Sequence, residues 1–296
     1  AVIDEGGQRR GRLQGRIAGL PRSGALYDRL RAGDLFAQLR YNGPADALWR
    51  LAAVDAFDLT GPLAVAADVT GSLATPRVRG SLASNGLRLR SSLSGTDLTN
   101  VQARGTFSGS RLRITSFRGA TANGGAVSGS GSVVLEDLGA KSPQLDIRIA
   151  ARNAHLLDAN GLSATVTGPL RIVSDGIGGT IAGRLLVDRA SWRLGTAASD
   201  QRLPQIKTRE INLPYDAAPR RAVAQPWRYL IDARAPARVD VDGMGLDSEW
   251  AADVLIRGTT DNPRIGGEAR VIRGDYSFAG TRFELTRGVI RFDETV

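Results

Sequence analysis

The chain has no cysteine. That excludes a disulfide framework, thiolate zinc sites and cysteine nucleophiles, and it leaves the compartment open, because proteins of oxidising compartments can also lack cysteine. Histidine is reduced to His155 and methionine to Met244. One imidazole cannot make a two-histidine metal site, and the NAHLLD run that holds it beside Asp158 has no nucleophile elbow from which a triad could be built. Aromatics make up only 5% of 296 residues, too few for several large globular cores. Lysine occurs only at Lys141 and Lys207, so the formal charge of +9 is carried by arginine. No apolar run approaches the ~20 residues of a membrane-spanning helix and no signal-peptide pattern is seen, which describes this piece only. A sequence that begins at Ala1 without an initiating methionine is expected to be an excised or processed piece.

What the chain has is glycine, 36 residues of it, and short apolar residues in alternation. The clearest stretch is 241–294, where Val254 and Ile256 alternate with Asp253 and Arg257, and Phe283 and Leu285 with Arg282 and Glu284. Asp261-Asn262-Pro263 and a series of glycines punctuate these runs, which is period-two patterning with turns between strands. Upstream the same scheme places Leu63, Val65 and Val69 on one parity, and sets Leu87 and Leu89 against Arg88 and Arg90. It continues through Leu112 and Ile114, then Leu145, Ile147 and Ile149, then Leu185 and Val187, and resumes at Val239 and Val241. The runs last four to eight residues, and connections such as Asn123-Gly124-Gly125 and Ser174-Asp175-Gly176 favour antiparallel neighbours. The expectation is an all-β, elongated array across residues 1–296, on the order of twenty strands and roughly 90–100 Å long at a strand spacing of about 4.8 Å.

Three segments depart from this rhythm. Residues 1–23 are basic and glycine-rich and read as a strand pair with frayed ends. A proline at Pro44 followed by Leu48, Leu51 and Ala52 at helical spacing predicts one short helix near 45–53. Residues 196–227, with Pro204, Pro214, Pro219 and Pro226, read as a long irregular crossing after which strands resume at Tyr229.

Candidate chemistry is sparse. GIGGTIAG at Gly176–Gly183 fits neither a phosphate loop nor a dinucleotide fingerprint, and turn glycines explain it. Carboxylate neighbours such as Glu136-Asp137, Asp240 with Asp242, and Asp293-Glu294 form a polar strand face by default. The arginines recur singly along the strands, as on a solvated face, without a helix-turn-helix or an RNA-recognition signature. The reading is therefore of a protein that is not an enzyme, with no cofactor, no metal and no nucleic-acid partner. The apolar parity itself is the functional clue. A long sheet with one greasy face must close as a filled sandwich or barrel, or curl into a trough that holds something apolar, and the residues alone leave both open. In a trough, Val254 and Ile256 point inward, Asp253 and Arg257 point outward, and replacing Arg257 changes little beyond surface charge.

The stretch from Gly243 to Phe292 also resembles the C-terminal region of the TamB family, the inner-membrane partner of the translocation and assembly module of Gram-negative envelopes. The resemblance lies in GMGLDSE at Gly243–Glu249, RGT at Arg257–Thr259, NPRIGG at Asn262–Gly267, and RGDYSFAG followed by LTRGVIRF through Phe292, with a further likeness in TGPL and ATPRVRG between Thr60 and Gly80. It implies a curled half-pipe, the β-taco of the AsmA-like group, with the apolar positions named above as candidate groove lining. It implies a periplasmic conduit for phospholipid acyl chains between inner and outer membranes, supporting outer-membrane biogenesis and protein secretion. It further implies a tether to the inner membrane through an anchor outside this chain, and a TamA-like outer-membrane partner. Two other readings stand beside the conduit. One is a chaperone-like module that offers sheet edges to strands of outer-membrane proteins during insertion. The other is a secreted β-solenoid with a dry, filled core.

Overall fold

The computed structural model describes residues 2–5, 8–46, 58–91, 94–134, 144–195 and 226–293. In chain order the strands are β1 (Val2–Glu5), β2 (Gln8–Ala18), β3 (Asp34–Pro44), β4 (Asp58–Thr60), β5 (Pro62–Gly71) and β6 (Pro76–Arg90). They continue as β7 (Asp97–Gly109), β8 (Arg111–Ala120), β9 (Ala126–Val134), β10 (Gln144–Ala159), β11 (Leu162–Ser174) and β12 (Gly179–Arg193). The last are β13 (Arg228–Gly243), β14 (Leu246–Gly258), β15 (Pro263–Phe278), β16 (Thr281–Glu284) and β17 (Val289–Phe292). All seventeen belong to one sheet, a curled half-pipe that does not close into a barrel.

Neighbours in sequence are mostly neighbours in the sheet. β2 pairs with β1 and β3, β3 with β5, and from β5 to β15 each strand pairs with the next. β4 lies against β6 and both β16 and β17 against β15, which leaves fifteen positions across the sheet. At about 4.8 Å per strand that is roughly 67 Å along the curl, shorter than the alternation alone suggested. The difference has a physical cause. The strands are fewer and most are longer than four to eight residues, with glycines such as Gly80, Gly105, Gly129 and Gly183 inside strands β6, β7, β9 and β12 instead of between them.

Among the described residues all pairings are antiparallel except one. β12 and β13 run parallel, with Thr180 opposite Arg228 and Arg193 opposite Asp242, so the chain leaves one rim at the end of β12 and re-enters at the other. Short turns cannot do this, whereas the long 194–227 connection can. Of the irregular crossing expected there, 196–225 lies outside the described residues, and strands resume at Arg228. The strand pair expected in 1–23 is present as β1 and β2. The helix expected near 45–53 shows its first helical residues at Ala45 and Asp46, and the rest lies outside the described residues.

A helix absent from the sequence reading, α1 (Leu26–Ala32), connects β2 to β3. Its acidic Asp28 lies in the first turn and Arg29 and Arg31 in the last, matching the helix dipole, and Gly33 ends it by donating its N–H to the Arg29 carbonyl. A Cβ on Gly33 would lie 2.7 Å from side-chain carbons of Ile17 and Leu20, so the helix can close onto β2 only because this residue is glycine.

The curl comes from bulges. Register shifts fall at Asn85/Leu87 in β6, Thr99/Gln102 in β7, Ile114/Phe117 in β8, Ala151/Ala154 in β10, Leu186/Ala190 in β12 and Ala235/Val239 in β13. Asn100, Asn153 and Arg238 take positive φ within three of them. Each bulge bends its strand and adds twist, and one repeated in strand after strand bends the whole sheet. The bend brings the β6–β7 connection onto β10. There the Asp158 N–H donates to the Ser94 carbonyl at 2.8 Å and the Thr96 hydroxyl to the Leu156 carbonyl at 2.6 Å, although two strands separate β7 from β10 in the sheet.

Candidate functional site

Residues directly opposite in a sheet share a face, so the register can be followed from strand to strand. One row runs Tyr41, Val65, Leu82, Gly105, Ile114, Gly131, Ile147, Ile172, Ile181 and Tyr229, across ten strand positions from β3 to β13. A parallel row, also on the apolar face, includes Phe117, Gly129, Ile149, Leu170, Gly183, Ile231, Ile256 and Ile265. Every member of the two rows is an aliphatic side chain, a phenylalanine, a tyrosine or a glycine. A single apolar face thus crosses the sheet without a charged residue in either row. Burial on it raises the proton affinity of the Tyr229 phenol above its ordinary value.

Glycine keeps that face continuous. On Gly129 a Cβ would come within 2.6 Å of the Phe117 ring, and on Gly183 within 2.6 Å of Leu170 Cδ2, so each large side chain lies flat over a glycine on the next strand. Gly179 is likewise covered by the Trp227 ring, 2.5 Å from where its Cβ would be. The GIGGTIAG run is therefore only partly turn. Gly176, at φ +92, belongs to the turn, while Gly179 and Gly183 are strand positions emptied for a neighbour.

The sequence-derived lining positions distribute as follows. Leu63, Val65 and Leu87 are buried, and Val69, Leu89, Ile149, Leu185 and Val187 pack against the same cluster. Leu112, Ile114, Leu145 and Ile147 are half-buried on the same face, Leu112 and Leu145 both opposite Val133. Val239 and Val241 face the same way as Trp250 and Ser248, their cross-strand partners, and Val254 and Ile256 face with Ala233 and Ile231. Phe283, opposite Tyr276 and 50% exposed, lies on β16, whereas Leu285 lies past its end and donates its N–H to the Gly274 carbonyl.

The face changes character along the sheet. From β3 to β11 it forms one cluster that includes Tyr41, Leu63, Leu87 and Val127, each under 9% exposed. Toward the C-terminal strands the same face exposes large side chains, among them Trp192 at 46%, Ile265 at 48% and Ile290 at 45%. Sequence reasoning did not find this gradient, because exposure depends on how far the opposing flanks of the curl approach one another.

The outer face is mostly polar, with Leu186, Leu230 and Leu255 exposed among its charges. Asp253 is exposed as expected, but Arg257 is not a free surface cation: its guanidinium reaches Asp232 Oδ1 at 2.7 Å and donates to the Ile231 carbonyl at 2.8 Å. It clamps β13 to β14, so its replacement cannot be neutral as the sequence suggested. Similar arginine clamps hold Glu249 to Arg273 and Asp275 to Arg282, and in each the arginine hydrogen bond pulls the carboxylate below its ordinary pKa. Glu268 is held below its ordinary value by hydrogen bonds from Arg270 and Arg291, Asp97 by Arg88, and Asp146 by Arg171.

Of the carboxylate neighbours and the histidine singled out in the sequence, two have described partners. Asp242 meets Arg193 at 3.4 Å, and His155 lies between Thr165 Oγ1 at 3.3 Å and Asp158 Oδ2 at 3.8 Å. Glu136, Asp137 and Glu294 lie outside the described residues. Among the described residues no helix is long and apolar enough to cross a membrane, which says nothing of crossing by strands.

An unclosed, curled sheet whose one apolar face crosses nearly every strand defines an all-β protein of the half-pipe class. Residues 113–296, more than half of the chain, match the TamB C-terminal domain, and the chain belongs to the TamB family. Neither the curated proteins nor the solved structures contain a significant match. Membership connects the chain with the translocation and assembly module and with outer-membrane biogenesis, in a family that is periplasmic and membrane-associated in general and works with a TamA-like partner.

Proposed function

We propose that this chain is a non-enzymatic segment of a periplasmic lipid conduit, in which phospholipid acyl chains lie along the apolar inner face while headgroups remain at the open side. The observation that carries the reading is the continuity of that face from Tyr41 through Ile147 to Tyr229 and from Phe117 to Ile265. Each buried methylene contributes about 0.8 kcal/mol, so an acyl chain moves along such a lining at little net change, because the apolar surface it uncovers behind is matched by what it covers ahead. The large exposed apolar side chains toward β15–β17 mark the stretch where a lipid tail finds room without displacing protein. In this reading the full-length protein is tethered to the inner membrane and meets a TamA-like protein at the outer membrane.

Native mass spectrometry of the purified chain tests it. Phospholipid retained in stoichiometric amount, and released on delipidation with the fold intact, is the expected result. A chain free of lipid that instead captures unfolded outer-membrane barrel segments would replace the conduit with the strand-receiving reading, which the unclosed sheet also permits.

A further inference from the structure

The +9 net charge is not spread evenly. Residues 76–193 carry fourteen arginines and one lysine against seven acidic residues, whereas residues 228–293 carry ten arginines against eleven. The second set is largely paired across strands, as in Arg257 with Asp232, Arg273 with Glu249 and Arg291 with Glu268. In the first set Arg104, Arg111, Arg113, Arg118, Arg148 and Arg152 are all exposed, and none forms a salt bridge among the described residues. In sequence they look scattered. Register brings them together on the outer face of β7–β10, where Arg113 lies opposite Ser132, Arg118 opposite Ser128 and Arg148 opposite Ser130.

The centre of this region has a defined shape. β9 presents only serines outward over Ser128–Ser132, between arginine-bearing β8 and β10, whose backbones stand about 10 Å apart at two strand spacings. The result is a shallow depression of about 400 Å³ lined by Arg111, Arg113 and Arg148 with Ser130 and Ser132 on its floor. Asp146 also lines it; its carboxylate is held by Arg171 at 2.8 Å and acts on Arg148 only through its longer-range charge. Guanidinium forks on both walls and hydroxyls between them match the oxygens of a phosphate group.

We propose that the outer face of β7–β10, centred on the Arg111–Arg113–Arg148 depression, docks on a lipid surface of phosphate-bearing anionic headgroups. The breadth of the basic face fits a surface better than a single small anion. The outward positions of β7–β10 carry no phenylalanine, tyrosine or tryptophan on which bases could stack, and His155 there is taken up by Thr165 and Asp158, which disfavours a nucleic acid. This face is opposite the apolar one, so the docking does not depend on lipid in the groove.

Flotation with vesicles tests it, using the whole chain with phosphatidylglycerol–phosphatidylethanolamine vesicles and neutral phosphatidylcholine vesicles at low and high salt. The variant R111S/R113S/R148S is compared with R270S/R273S/R291S, which loses the same charge from the paired end, after circular dichroism shows both folded. The first is expected to bind anionic vesicles about a hundredfold more weakly, equivalent to about 2.8 kcal/mol at about 1.4 kcal/mol per tenfold, and the second within about threefold of wild type. Binding should fall with salt and be absent on neutral vesicles. Equal losses in the two variants would reduce the effect to net charge and overturn the proposal. So would displacement by inorganic phosphate at constant ionic strength, which marks a small-anion site, or tighter binding to a single-stranded oligonucleotide than to the anionic vesicles.

Discussion

Adjacent residues on β14 allow the working face to be tested with one chemistry. Ile256 faces the groove between Ile231 and Ile265, while Leu255 faces out between Asp232 and Gly266. Ile256→Arg and Leu255→Arg therefore introduce the same side chain one residue apart on opposite faces. A charged side chain amid hydrocarbon costs about 2.5–3.5 kcal/mol, and about 1.4 kcal/mol is tenfold, so Ile256→Arg should slow phospholipid passage by about two orders of magnitude. Ile265 beside it is 48% exposed, so the guanidinium has a route to water, and snorkelling sets the lower end at about tenfold. Leu255→Arg puts a cation near the Asp232 carboxylate, and transfer should stay within about twofold of wild type. The assay is movement of a fluorescent phospholipid between donor and acceptor vesicles by the full-length protein, with circular dichroism and urea midpoints confirming that both variants fold. Equal transfer by the two, or the larger loss from Leu255→Arg, would remove the apolar face as the surface on which lipid moves.

The packing and the polar clamps give three more expectations. Gly129→Ala should destabilise the sheet by about 1–3 kcal/mol, because its methyl meets the Arg148 backbone carbonyl and the Phe117 ring, whereas Ser128→Ala on the outer face should stay within about 0.5 kcal/mol; thermal unfolding reads both. Arg257→Glu removes the 2.7 Å bridge to Asp232 and the bond to the Ile231 carbonyl and sets two carboxylates together, so it should lower stability by about 1–3 kcal/mol, while Asp253→Asn, whose contact with Arg234 is 3.6 Å and exposed, should be near neutral in urea unfolding. The pH dependence follows from the depressed carboxylates Asp97, Asp146, Glu249, Glu268 and Asp275. Their folded values lie below the unfolded ones, so their stabilisation is complete above the ordinary carboxylate range and is lost as pH falls through the folded values. Urea midpoints should be level near neutrality and decline on acidification below that range, less steeply in Glu268→Gln.

The facing of side chains was legible in the sequence because it depends on a local period: Val254 and Ile256 fall on one side and Asp253 on the other whichever strand lies next to them. Lengths, neighbours and direction were not, because they depend on residues far apart. Gly129 looks like a break until Phe117 is known to lie over it, and only then is β9 seen to run unbroken from Ala126 to Val134. The parallel step from β12 to β13 leaves no mark in either strand, since both alternate as they would in an antiparallel pair, and direction is set by the length of chain between them. Helix α1 is seven residues long, too short for periodicity to declare, and its position is settled by how closely Gly33 lets it approach β2.

The same non-locality explains the arginines. Arg113 and Arg148 lie on different strands, far apart in the chain, so reading along the sequence returns separate charges on a solvated face. Their shared environment exists only because β9 inserts serines between them at the register Arg113–Ser132 and Ser130–Arg148. In β13–β15 the same spacing of arginine along strands meets carboxylates across the ladder and yields clamps, Arg257 with Asp232 and Arg273 with Glu249. The alternation of each strand decides that a charge points outward, and the neighbouring strand decides whether that charge holds the sheet together or stays available to a partner. On the inner face glycine plays a comparable part: Gly129 and Gly183 let Phe117 and Leu170 lie down across the neighbouring strand, whereas Ile265 and Phe283, on the last strands, stand exposed.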